Sequence, residues 1–203
     1  LIARRAVCPV AVGRSRAAAG RALLAAHPEI DLIIADDGLQ HYALARDVEI
    51  VLFDARGPGN GWLLPAGPLR EPASRPRDFT IVNGAVDATI YPAPVFAMQL
   101  EAVPAQRLCN PADTRPLTAF SSGSERIAAA AGIGNPARFF AMLEANGVRL
   151  HERLALPDHY DFATDPFGEL QADVILITEK DAVKCLQLET YQHDPRLWVV
   201  PVS

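Results

Sequence analysis

The sequence is short of lysine, of paired cysteine and of long apolar runs, and each shortage removes a class of protein. Of 19 basic residues all but Lys180 and Lys184 are arginine, and against 24 acids they leave a net charge of −5. A general nucleic-acid binder needs a basic surface to neutralise phosphates, so nucleic acid is disfavoured as a partner. Cys8, Cys109 and Cys185 are odd in number and widely spaced, with no CxxC pair. That pattern argues against a zinc site or a disulfide framework and favours a reducing compartment. No stretch approaches the roughly 20 apolar residues of a membrane-spanning helix. The first residues, Leu1-Ile2-Ala3-Arg4-Arg5, lack an initiator methionine and the layout of a signal peptide, so the chain is expected to begin mid-protein.

What is present is an ordinary globular composition. Half of the 203 residues are hydrophobic and 21% are charged, enough for one large or two small domains with cores of their own.

The stretch that organises the chain is Asp31-Leu32-Ile33-Ile34-Ala35-Asp36-Asp37-Gly38-Leu39-Gln40-His41. Its apolar half reads as a strand buried on both sides, as in a parallel sheet. It ends in two acids, a glycine and a histidine, at the carboxyl end of a strand where open α/β sheets bind their ligands. Asp36 and Asp37 suit a hard cation such as Mg²⁺, directly or through water, and Gly38 frees the backbone to turn. The same Asp-Asp-Gly also makes an ordinary turn and helix cap, and His41 by itself suits a structural role.

Around this stretch the sequence predicts a strand over residues 7–12, a helix over 15–26 ended by His27-Pro28, and a strand over 48–54. The run Leu63-Leu64-Pro65-Ala66-Gly67-Pro68-Leu69-Arg70-Glu71-Pro72 is too rich in proline and glycine for regular structure and reads as a shaped binding loop. A strand over 79–84 closes a first lobe near Val86, and an extended connection follows. The second lobe reads as a strand over 126–131 and a helix that Asn135 caps, with Pro136 in its first turn and Gly147 as its stop. Leu154 to Leu156 lead into a polar loop dense with titratable groups, Pro157 to Asp161, and further strands are expected over 174–177 and 197–200. The Gly132-Ile133-Gly134 loop is a partial dinucleotide signal, without the full G-x-G-x-x-G.

Five segments in this order, Asp36 to His41, Leu63 to Pro72, Ala131 to Pro136, Pro157-Asp158-His159-Tyr160 and Thr178-Glu179-Lys180-Asp181, resemble the tetraacyldisaccharide 4′-kinase family over nearly the whole chain. The resemblance implies an α/β fold: an incomplete P-loop-NTPase-like parallel lobe over residues 1–90, an extended linker over 91–116 and a second, smaller α/β lobe over 117–203. It implies ATP and Mg²⁺ as cofactors, and a disaccharide precursor of lipid A as substrate, phosphorylated on its 4′-hydroxyl. It also implies a peripheral site of action on the cytoplasmic face of the bacterial inner membrane.

By motif, Asp36 and Asp37 would organise Mg²⁺ and His41 would lie near the phosphates or the substrate. Arg70 would contact the lipid 1-phosphate or the transferring phosphoryl. His159 would orient a base carboxylate that the family carries before the equivalent of Leu1, and Glu179, Lys180 and Asp181 would form a support network or a nucleotide-side contact rather than act as catalysts. The family's glycine-rich G-x-x-x-x-G-K-[ST] loop occurs nowhere in the chain, and the family's C-terminal helix is missing from the pattern. The chain by itself is therefore expected to be inactive. The alternatives are a non-catalytic remnant that binds lipid or a partner, and a Rossmann-like dinucleotide enzyme.

Overall fold

The computed structural model describes residues 1–201 except 55, 85–87, 92, 93, 100, 102 and 122, together with the backbone alone of residue 88. The chain divides into two compact units, Ile2–Gln99 and Leu100–Ser203, the latter grouped with Leu1. The close of the first lobe expected near Val86 lies outside the described residues. Residues 91–116, read as a linker, supply strands to both units.

The first unit opens with a single helical turn, α1 (Ile2–Arg5), and then α2 (Arg16–Ala26). Ser15 caps α2 by accepting the Ala18 amide through its side chain at 3.2 Å. Three parallel strands follow, β1 (Ile50–Asp54), β2 (Phe79–Asn83) and β3 (Val95–Met98), in the order β1-β2-β3. The register pairs Leu52 with Ile81 and Ile81 with Phe96. Because side chains alternate along a strand, Ile50, Leu52, Phe79 and Phe96 share one face, and all four are exposed. On the other face Thr80 and Val82 are buried, and the Arg77 guanidinium lies over the Phe53 ring.

Two expected strands do not form. Residues 7–12 and 31–35 run without ladder partners, and Leu32 and Ile34 are 73% and 88% exposed rather than buried on both sides. An apolar run becomes a strand only where a neighbour takes up its amides and carbonyls, and among the described residues none pairs with either segment.

The second unit is a six-stranded mixed sheet in the order β5-β4-β9-β8-β6-β7. Its strands are β4 (Ala105–Arg107), β5 (Asn110–Arg115), β6 (Ile127–Ala131), β7 (Glu152–Ala155), β8 (Val174–Thr178) and β9 (Leu197–Val200). The four strands β9-β8-β6-β7 are parallel, and the β4-β5 hairpin adds antiparallel to the edge of β9. Every residue of β6 and β8 is buried, as expected of strands covered on both faces.

One face packs against α3 (Pro136–Ala145) through Phe139, Phe140 and Leu143. The other packs against α4 (Glu179–Cys185), α5 (Glu189–Gln192), Phe162, Phe167 and Tyr191. Ala128 to Ala131 put a small side chain on each face in turn, which lets both layers approach closely. Burial pushes the Cys185 thiol up to about 12, so it stays a neutral core residue at physiological pH.

The chain leaves β6 through α3 to β7 on one side and later returns as β8 on the other. The carboxyl ends of β6 and β8 therefore frame a topological switch point, and residues 132–135, 157–161 and 178–181 gather there.

Candidate functional site

In the first unit the Asp36-to-His41 segment is a turn held by side chains from outside it. The Arg46 guanidinium donates to the Gly38 and Leu39 carbonyls at 3.1 and 3.0 Å and pairs with Glu49 at 2.7 Å. Gly38 is required by a close approach, since a Cβ there would come within 2.9 Å of the Ala35 Cβ. Asp37 sits in the left-handed region at φ 48°, a conformation that Asp tolerates better than most residues.

The shaped loop meets this turn through Arg70. Arg70 Nη1 donates to both carboxylate oxygens of Asp37, at 2.7 and 3.0 Å, and to Gln40 Oε1 at 3.3 Å. Both members of the Asp37–Arg70 pair are more than half exposed, so the pair contributes little to stability. One residue along, Glu71 does the structural task. It accepts from Gln40 Nε2 at 2.8 Å and Tyr42 Oη at 3.0 Å and pairs with Arg75, which also reaches Glu49 at 2.6 Å. Partial burial works against the Glu71 charge, but the bonds from Gln40, Tyr42 and Arg75 outweigh it and hold its carboxyl below the ordinary carboxylate value.

The sequence reading did not single out Arg46, Glu49, Gln40, Glu71 and Arg75 as a network. The nearness in sequence of opposite charges, Arg46 to Glu49 and Glu71 to Arg75, was the available signal, although neither segment is helical. Asp54, an acid at a strand end, is held by its neighbour Arg56 at 2.6 Å, which fits a strand-end turn.

In the second unit His159 lies on the loop after β7, at φ 61°, with its side chain 88% exposed and 3.8 Å from the Asp158 carboxylate. Asp181 is 1% exposed, and its Oδ2 accepts the Gly132 amide at 3.0 Å and the Thr178 hydroxyl at 2.7 Å. That amide opens the Gly132-to-Pro136 loop, so the group a dinucleotide pyrophosphate would need is already bonded inside the protein. Asn135 accepts the Arg138 amide and caps α3, with Pro136 at the start of the helix. The structure thus brings Asp37, Arg70 and Gln40 together in one unit, while His159 and Asp181 belong to the other. Among the described residues no group of three or more His, Cys, Asp or Glu side chains is placed to hold a metal by itself.

Parallel strands in both units, with acids and a histidine on the loops that follow them or lie beside them, define a mixed α/β protein that presents its polar groups from loops. The chain belongs to the LpxK family, tetraacyldisaccharide-1-P 4′-kinase, whose profile matches residues 1–203. It is 60% identical over 207 residues to the tetraacyldisaccharide 4′-kinase of Janthinobacterium sp. (strain Marseille), covering all of this chain and 59% of that protein. To the tetraacyldisaccharide 4′-kinase of Herminiimonas arsenicoxydans it is 58% identical over 214 residues, again covering all of this chain and 60% of that protein. The chain thus spans about three fifths of the length of these relatives. A crystal structure of LpxK from Aquifex aeolicus in complex with ATP is similar with a TM-score of 0.59 and 25% identity, over 81% of this chain and 50% of that one.

Proposed function

We propose that this chain carries part of a lipid kinase that transfers the γ-phosphoryl of ATP to the 4′-hydroxyl of a tetraacyl disaccharide 1-phosphate in lipid A synthesis. The observation that carries the reading is the Asp37–Arg70 pair. It is an exposed acid–arginine contact that adds little stability, yet it is fixed by the less exposed Glu49–Arg75–Glu71 network behind it. Rigid support beneath an exposed charged pair is the arrangement a phosphate site needs.

The residues present fit Mg²⁺ in the way that ion is usually held, by one or two carboxylates with substrate phosphates and water completing the shell. Asp37 already shares both oxygens with Arg70, which leaves Asp36 as the main direct contact and Asp37 as its orienting neighbour. When bound, the ion neutralises charge on the phosphates. Arg70 suits the oxygens of the transferring phosphoryl or of the lipid 1-phosphate, because a planar guanidinium matches them and keeps its charge. His41, at the end of the same turn, would serve the phosphates or the substrate, and His159 would orient the base that takes the sugar hydroxyl's proton.

The site of action is the cytoplasmic face of the inner membrane, reached peripherally; among the described residues no helix is long and apolar enough to cross a bilayer. The test is a chimera in which this chain replaces the matched segment of the Janthinobacterium kinase. Magnesium-dependent phosphorylation of the lipid acceptor is expected from the chimera and not from the 203-residue chain by itself. The Asp36→Asn/Asp37→Asn chimera should lose about 10²-fold or more in rate. An unchanged rate in that variant would refute the assignment, and turnover by the isolated chain would refute its inactivity.

A further inference from the structure

Asp181 and Lys184, three residues apart on α4, are not explained by the phosphate site. A carboxylate buried as deeply as Asp181 is costly unless its oxygens are satisfied. Only Oδ2 is, by Gly132 and Thr178; Oδ1 has no hydrogen-bond donor among the described residues, with Lys184 Nζ 3.8 Å away. An apolar residue would be a cheaper occupant of this position, so the carboxylate calls for a reason other than stability.

The hydrogen bonds supply one. The Gly132 amide that Asp181 accepts belongs to the residue whose carbonyl accepts the His159 amide at 3.3 Å, a donor it shares with Asp158 Oδ1 at 3.0 Å. Gly132 is wedged between the two, for a Cβ on it would lie 3.0 Å from Asp181 Oδ1, 3.2 Å from the Tyr160 Cβ and 3.3 Å from the Pro157 carbonyl oxygen. On the other side of His159, Lys184 Nζ donates to the Tyr160 carbonyl at 2.9 Å. Further on, Phe162 is 2% exposed and packs edge-on against Tyr160 and Tyr191. His159 and Phe162 both have φ of 61°, a strained value for these residues that persists only where the surroundings impose it.

We propose that Asp181 and Lys184 are positioning residues that clamp the 157–162 turn from beneath, Asp181 through the Gly132 peptide and Lys184 through the Tyr160 carbonyl, and thereby fix the backbone that aims His159. The functional consequence rests on the reading of His159 given above; the clamp itself does not.

The test uses the isotope-labelled 203-residue chain and its Asp181→Ala, Asp181→Asn and Lys184→Met variants. Two signals are followed at His159: its intraresidue amide-to-Hα NOE, strong only at positive φ, and the exchange of its amide. The Ile127 amide, which donates to His151 Nδ1 at 3.0 Å, and the β8 amides serve as controls in the same unit. Asp181→Ala and Lys184→Met are each expected to weaken the NOE and to speed His159 exchange about tenfold with the controls unmoved. Asp181→Asn, which keeps an acceptor for Gly132, is expected to restore both signals. An unchanged His159 in both disruptive variants overturns the proposal, as does a change that only follows the controls.

In the chimera, Asp181→Ala should lower kcat about tenfold or more and leave KM for ATP as it was. If His159→Ala leaves kcat intact there while the NOE result holds, the reading of His159 fails and the clamp stands as a structural finding.

Discussion

The two units carry similar apolar content and spend it differently. In the second, β6 and β8 are buried along their whole length, and Leu143, Ile175, Leu176, Ile177, Phe167 and Leu197 are essentially inaccessible. In the first, Val82 and Leu69 are buried while Val7, Val12, Leu32, Ile34, Leu52 and Trp62 each expose more than half of their surface. A parallel sheet is ordinarily covered on both faces, and the β1-β2-β3 sheet is open on the face of Leu52. The second unit therefore stands on its core, and the first is held largely by polar staples: Arg46 on the Gly38 and Leu39 carbonyls, and Arg75 between Glu49 and Glu71. Such staples hold a loop in place without supplying the stability of a packed interior.

The largest separation between the units should come from truncating matched leucines. Leu176→Ala is expected to cost about 3 kcal/mol in denaturant unfolding of the second unit, through lost transfer energy and the cavity left behind. Leu52→Ala, in the exposed face of β1, should stay within about 0.5 kcal/mol. Equal losses would remove the contrast.

A smaller effect is expected at Gly132. Its alanine variant must move the Tyr160 Cβ or the Pro157 carbonyl, at about 1–3 kcal/mol by thermal or denaturant unfolding. The equivalent change at Gly61, where a Cβ meets nothing within 4 Å, carries only the strain of its φ of 76°.

The smallest effect is an acid one in the first unit. Glu71 has a folded pKa below its ordinary value, so its contribution is present above the ordinary carboxylate range and is lost as pH falls through the lowered folded pKa. The Gln40 side-chain amide signals should move in that acid window, because Gln40 donates to Glu71, while the indole signal of the buried Trp198 holds. Simultaneous movement of both would mean that the staple is not local.

Much of the second unit was legible in the sequence because its signals are local. The apolar run Val174 to Ile177 reads as a buried strand, and Asn135-Pro136 and Gly147 bracket α3 at its observed ends, Gly147 at φ 86°. The helix α4 was not read, since Thr178-Glu179-Lys180-Asp181 looks polar; its cap is the Thr178 hydroxyl, which accepts the Asp181 amide at 3.2 Å. In the first unit the same reading failed at 31–35, where composition says strand but pairing decides. The Asp37–Arg70 contact joins residues 33 apart, and no local spacing signals it. The Asp181–Gly132 bond spans 49 residues, and no pattern in the chain announces it.

Residue-resolved amide hydrogen exchange on the intact chain tests the contrast between the units most directly. The account predicts that amides of β6 and β8 exchange about 100-fold or more slowly than those of β1 and β2, with residues 31–35 the least protected of the apolar segments. Comparable protection in the two sheets would contradict it.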